Sequence, residues 1–363
     1  MTNADLVSKC EELKHRLATD EYKHLIDVIL GGIGRFIQKI SRNPTPVPFW
    51  YSAIILALSI LATSFLTSIL LNEFYQIRLD RLPSEITLVT LTLVGTIILK
   101  IHLDATFDIW RNKLIDAVET SQDLADIQRW FATVCNVRKQ LFLSLPLGLL
   151  FGIYAIVFVS IVRGGFFGVG PTILDIVVSI QVFLGLYYVF LFANLSIRLR
   201  RYHFRLFTID PRRSETIQQL SGLLFNYVYG IAFFVATITL VLSIFAVMTL
   251  FNIVLLFILG WAPIIIAFIL NQYTLSRIII RSKWQMLNKV QKRIEALHSE
   301  QDIVEKDVIE ATTRLLDFQD RIWASRNSVL DINSVLGFIN SLLLPLFTFL
   351  LGNLDTIVGF FFK

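Results

Sequence analysis

Histidine and cysteine are scarce in this chain, at five and two of 363 residues. No histidine falls in an HExxH arrangement or in a metal-spaced cluster, and two cysteines without partnering histidines make a poor zinc site. Cys10 and Cys135 both fall in segments expected to face the cytosol, where thiols stay reduced, which argues against a disulfide. There is no P-loop, no GxSxG and no strand-borne GxGxxG, so the common carriers of phosphate and acyl chemistry are missing. The expectation is a protein without a cofactor and without enzymatic activity. Gly164, Gly165, Gly168 and Gly170 form a glycine-rich run, but Phe166 and Phe167 sit inside it and no lysine accompanies it, so it reads as a turn at the lipid interface. Charge is scarce too: 17% of residues are Asp, Glu, Lys or Arg, where a soluble domain carries about a quarter. With 55% hydrophobic residues and a mean hydropathy of +0.66, an ordinary soluble domain is excluded.

What is present is a set of seven apolar runs, at 49–71, 86–99, 141–162, 173–197, 220–248, 253–270 and 335–351. A helix rising ~1.5 Å per residue needs about 20 apolar residues to cross the hydrocarbon core. The reading is an all-α polytopic membrane protein of about seven transmembrane helices, arranged as three hairpins and a last span. The segment before the first run is too long and too charged for a cleavable leader.

Basic residues flanking a span are retained on the cytoplasmic side. Arg35, Lys39 and Arg42 precede the first run, so the N-terminus is placed inside. Lys100 to Lys139, Arg198 to Arg213 and the stretch from Arg277 onward are then all inner and basic, while 72–85, 163–172 and 249–252 are short and outer. One threading satisfies every loop. It also divides the uncharged tract 220–270 into two passes, since a single pass would leave a basic loop outside. The last run carries Asn340, Ser341 and Pro345 and is expected to cross, the other reading being a re-entrant turn at 352–355. The plasma (inner) membrane is the expected location, and the net charge of +5, concentrated at span ends, argues against a nucleic-acid partner.

Four parts follow: amphipathic N-terminal helices over 1–48, a membrane core over 49–275 with inner helical segments at 104–139 and 198–219, an inner helical hairpin or coiled coil over 276–333, and the last span and tail over 334–363. The pairing of spans repeats, without residue-level self-similarity. In the hairpin, Leu287, Val290, Ile294, Leu297, Val304, Val308, Leu315, Phe318 and Ile322 recur three and four residues apart, with Gln301 the polar exception, as in a coiled-coil core. Both ends must rejoin the membrane on one face, so the pattern predicts an antiparallel pair with its tip near Ser299–Asp302, where an N-cap pattern stands. Asp210–Pro211 reads as an N-cap and first-turn proline starting the fifth membrane helix.

Few residues point to function. Ser59, Thr63 and Thr67 form a hydroxyl stripe that either lines a wet path or bonds between packed helices. Asn340 and Ser341, one turn before Pro345, share that reading, because proline frees a backbone carbonyl. Arg198, Arg200, Arg201 and Arg205 suit anionic head groups at the cytoplasmic face, or simply fix orientation. Trp261–Ala262–Pro263 is the candidate helix break, and Gly148 with Gly152 a close-packing pair. Two functions compete: a channel-like or gating protein controlled through its inner helices, with the path at a homo-oligomer interface or between spans five to seven, and a scaffold docking a cytoplasmic protein partner. The threading resembles that of insect chemoreceptor channels in topology alone, with no shared residue motif, and this likeness implies a channel.

Overall fold

The structure is a computed structural model that describes residues 3–19, 21–42, 45–71, 82–163, 169–206, 209–244, 253–254, 256–300 and 306–327, with Gly352 and Val358. Helices α1 (Asn3–Ala18) and α2 (Leu25–Ser41) precede α3 (Phe49–Leu70), α4 (Leu82–Ile109), α5 (Ser121–Val134), α6 (Val137–Arg163), α7 (Val169–Leu199), α8 (Glu215–Ile244), α9 (Ala262–Glu300) and α10 (Lys306–Ala324). Among the described residues there is no strand, only a single antiparallel bridge between Val118 and Phe204. The fold is all-α. Five stretches are long and apolar enough to cross a membrane: Phe49–Leu70, Glu85–Ala117, Thr172–Leu199, Glu215–Thr239 and Phe257–Leu297.

Local chemistry explains the helix ends. The Asp27 carboxylate reaches back to the His24 backbone N–H at 3.1 Å, satisfying a donor that the helix itself leaves open at the start of α2. The hydroxyl of Thr120 accepts from the Asp123 N–H at 3.1 Å and starts α5. Asp210–Pro211 does not begin a membrane helix as the sequence suggested. It begins a 3₁₀ turn, Pro211–Arg213, with the Asp210 carboxylate accepting from the Arg212 N–H at 3.2 Å. The α-helix starts at Glu215, after Ser214 offers its own hydroxyl to the Ile217 N–H at 3.4 Å. A second, better-placed cap overrides the proline signal.

The most apolar part of α3 is 22% buried, against 44% for those of α8 and α9, and α7 packs on α3, α4, α6 and α9. The principal core lies elsewhere, where α1, α2 and α5 meet the C-terminal ends of α4 and α7 and the N-terminal end of α8. Trp110, Leu114, Ile127, Trp130, Phe131 and Tyr188 are fully or almost fully buried there. This is expected physically: apolar side chains gain little by leaving lipid for each other, and much by leaving water. Helix α4 outruns its apolar stretch and widens into a π turn at Trp110–Leu114, which carries Trp110 and Leu114 into this core. In the membrane layer, contact is close where glycine permits it. A side-chain carbon at Gly152 would lie 3.0 Å from the Ile176 backbone, and one at Gly148 would strike the Ile180 backbone, so the GxxxG face of α6 seats directly on α7.

Helix α9 runs 39 residues without interruption, ~58 Å by helix rise. Pro263 sits in its first turn, after a π turn at Phe257–Trp261, and its missing N–H is absorbed there. Leu287, Val290 and Ile294 of α9 pack with Leu315, Phe318 and Ile322 of α10. Lys283 donates to the carbonyls of Trp323 and Ser325 and to Asn327 Oδ1 at 3.3, 2.6 and 2.8 Å, so the two helices run antiparallel. Ser299 is helical in α9 and α10 begins at Lys306; the expected tip near Ser299–Asp302 runs into residues 301–305, which lie outside the described residues. Val304 lies outside the described residues, Val308 is buried and Leu297 is half-buried.

Candidate functional site

The segment leaving α7 is held from one side by α5. Asp126 accepts from Arg198 at 3.2 Å and from the Tyr202 hydroxyl at 2.6 Å, and burial followed by that second bond raises the Tyr202 phenol above its ordinary range. Asp123 accepts from the His203 backbone N–H at 2.9 Å and lies 3.1 Å from its Nδ1. The backbones of 117–119 and 203–205 join through Glu119 N–H to the His203 carbonyl at 3.0 Å and Arg205 N–H to the Ala117 carbonyl at 2.7 Å. Two acids on one face of α5 therefore fix the register of the arginine run.

That register sends Arg200 and Arg201 to the opposite side, toward α9. With Tyr273, Arg277, Ile280, Arg281 and Trp284 they line an open cavity of about 490 Å³. The guanidinium carbons of Arg200 and Arg277 lie 5.4 and 5.2 Å from the Tyr273 ring centre, within range of a cation–π attraction. Arg277 Nε donates to the Tyr273 hydroxyl at 2.9 Å, Arg281 Nη1 to the Arg201 carbonyl at 2.9 Å and Arg200 Nε to the Ile197 carbonyl at 3.2 Å. Among the described residues none of the four arginines pairs with a carboxylate. Their neighbours do: Arg198 with Asp126 at 3.2 Å, Lys113 with Glu215 at 3.1 Å and Arg213 with Asp210 at 3.2 Å. Of the four arginines singled out in the sequence, Arg200 and Arg201 enter the groove, Arg198 is engaged by Asp126 and Asn194, and Arg205 is exposed. Arg277 and Arg281 were missed. The spacing Tyr273, Arg277, Arg281, Trp284 on one helical face was the signal that could have found them.

A second polar cluster joins α2 to α4 and α6. Lys100 bonds Asp104 and lies 2.8 Å from Asp27. His24 lies 3.9 Å from the Cys135 thiol, edge-on to Phe107, with ring centres 4.8 Å apart. Gln140 accepts from the Leu25 N–H at 2.9 Å and donates to the Val134 carbonyl. This histidine–cysteine contact is not an activated nucleophile. Burial lowers the imidazole to about 4 and pushes the thiol up, the reverse of the imidazolium–thiolate pair that such chemistry needs. The Cys10 thiol, 3.7 Å from the Ile115 carbonyl, is raised by burial and then by Asp116. Both cysteines are free thiols. Among the described residues no group of three or more His, Cys, Asp or Glu is placed to hold a metal.

The hydroxyl stripe of α3 faces away from the helices that α3 packs on. Ser59 and Thr63 are exposed and Thr67 half-buried, and they donate to the carbonyls of Leu56, Ser59 and Thr63, each at 2.7 Å. The packed face carries Ser52, Ala53, Ala57, Ser64 and Ser68 instead. On α4, Thr92 and Thr96 receive Gln181 of α7, whose amide donates to the Thr92 carbonyl at 2.8 Å and to Thr96 Oγ1 at 3.0 Å. Asn340 and Ser341 lie outside the described residues. Compared with protein-family models, curated proteins and solved structures, the chain finds no match.

Proposed function

We propose that this chain is a seven-span, non-enzymatic protein of the plasma (inner) membrane, N-terminus inside, that gates a passage through the membrane under control of its cytoplasmic helices. The observation that carries the reading is the continuity of α9 from the apolar layer to the inner hairpin. A displacement of the hairpin is then a displacement of a membrane-length helix. Within the bundle, α9 is keyed by polar contacts that tolerate few alternatives: Asn271 donates to the Leu224 carbonyl at 3.0 Å and accepts from Ser196 at 2.7 Å, and Thr274 donates to the Ser196 carbonyl at 2.9 Å. Such an element has discrete positions rather than a continuum, as a gate requires. The seven spans take in α6, which is 27 residues long, and the apolar run 335–351. The outward face of Ser59, Thr63 and Thr67 supports a conduction path between copies of the chain, with homo-oligomerisation as its requirement. Reconstitution of the purified protein into planar bilayers tests this: discrete conductance is expected, altered in open probability by deletion of 306–324. Silence at every voltage, with and without anionic lipid, sinks the gating reading.

A scaffold is the second reading, and one observation favours it. Ile309, Leu316 and Trp323 recur every seventh residue on α10 and are each about half exposed, with Trp284 5.5 Å from Trp323 between ring centres. A cytoplasmic protein partner docking there would be lost from cross-links when 289–321 are deleted; retention of every cross-link removes this reading.

A further inference from the structure

The groove between the end of α7 and α9 is lined by four arginines, two from the α7 exit and two from α9, with the guanidinium groups of Arg200 and Arg277 both beside the Tyr273 ring. Like charges held together without a carboxylate are costly unless an anion joins them. Each guanidinium offers a planar fork of donors suited to tetrahedral oxyanions, and four forks exceed what one carboxylate can accept. Among the described residues these side chains bond through one nitrogen each on Arg200, Arg277 and Arg281, and each guanidinium carries further N–H donors. Two aromatic rings border the cavity, Tyr273 and Trp284, about half exposed, as aromatic residues are at the level of lipid head groups.

We propose that Arg200, Arg201, Arg277 and Arg281 form a phosphoryl-binding site, occupied by the headgroup of an anionic lipid of the cytoplasmic leaflet, and that the bound group ties α9 to the end of α7. This rests on the threading given above and adds to the gating reading a ligand and a lever. Headgroup occupancy bridges the fixed arginine run to the moving helix, so it sets where α9 leaves the membrane. A phosphomonoester, with close to two negative charges and three terminal oxygens, suits the site better than a phosphodiester.

Native mass spectrometry of the full-length protein in neutral detergent, titrated with phosphatidic acid, phosphatidylglycerol and phosphatidylcholine, tests the site. Phosphatidic acid is expected to bind most tightly and phosphatidylcholine least. The double variant Arg277→Gln, Arg281→Gln is expected to lose roughly thirtyfold in affinity for phosphatidic acid, five- to sixfold for each charge, with phosphatidylcholine unchanged. Arg129→Gln, an exposed arginine of the same layer, should bind as wild type. If the double variant does not elute as a folded species, Arg200→Gln carries the test with a roughly fivefold loss. Wild-type binding of phosphatidic acid no tighter than phosphatidylcholine overturns the proposal, as does a folded groove variant that binds like wild type. Displacement of the lipid by millimolar inorganic phosphate would keep the phosphoryl chemistry and overturn the lipid as its source. Selective binding without conductance defeats the gating reading alone, and conductance without lipid preference defeats this proposal alone.

Discussion

His24 joins a membrane-proximal core to the solvent's proton activity. The imidazole is 2% exposed, packed among Phe107, Tyr188 and Cys135, with Asp27 and Lys100 the nearest charges. Burial outweighs Asp27, so the folded chain accepts a proton only near pH 4, against an ordinary value of 6.5. Between those values the unfolded chain is protonated and the folded chain is not, so stability falls as the pH drops, by up to about 3 kcal/mol across the window. Above pH 6.5 the residue contributes no slope. His24→Gln is expected to flatten the decline in thermal stability between pH 6.5 and 4 relative to wild type; carboxylates common to both proteins cancel in the comparison. Equal slopes would mean that His24 takes up its proton in the folded state. None of this was legible in the sequence. His24 looked like an isolated histidine, and the groups that bury it, Phe107, Cys135 and Tyr188, come from 83 to 164 positions further along the chain.

Elements were legible where a single periodicity decided them and illegible where two helices had to meet. The three-and-four spacing from Leu287 to Ile322 announced a helical pair, and of those positions Leu287, Val290 and Ile294 of α9 pack with Leu315, Phe318 and Ile322 of α10. What secures the pair, the burial of Lys283 against the end of α10, has no local signature at all. Its ammonium serves the last carbonyls of α10, where a cation also suits the helix dipole. Lys283→Met should leave those acceptors without a donor at a cost of about 1–3 kcal/mol. Hydrogen–deuterium exchange should then accelerate over 306–327 while the membrane part of α9 keeps its protection; uniform protection in the variant would show that the clamp is redundant. In the membrane layer, the GxxxG spacing did identify the close contact of α6. Gly148→Ala puts a carbon into the Ile180 backbone, which no side-chain rotation relieves, and is expected to cost about 1–3 kcal/mol. Gly185→Ala, on a helix face with open space around it, should be neutral or stabilise by up to about 1 kcal/mol. If both variants melt with the wild type, α6 and α7 are not seated as described.

At the scale of the molecule, the apolar runs anticipated the five membrane-length stretches that the structure describes, and their basic flanks support a threading that remains a proposal, while the groove stayed hidden because it belongs to neither run. It arises where an arginine turn, steered by two carboxylates on α5, meets a helix that enters 80 residues later. The arrangement makes functional sense only if that end of α9 faces the cytoplasm, where anionic lipids are abundant and where a soluble partner could pull on the hairpin. Orientation is therefore the premise to test first. Cys10 and Cys135 carry thiols raised by burial, so in the folded protein they should react slowly with a maleimide and leave a quiet background. Ser299→Cys, in the last turn of α9, should resist a membrane-impermeant maleimide in intact cells and label after permeabilisation. Arg78→Cys, between the first two apolar runs, should label in intact cells. Labelling of Ser299→Cys from outside would invert the protein, place the arginine groove on the wrong leaflet and leave the hairpin with no cytoplasmic control to exert.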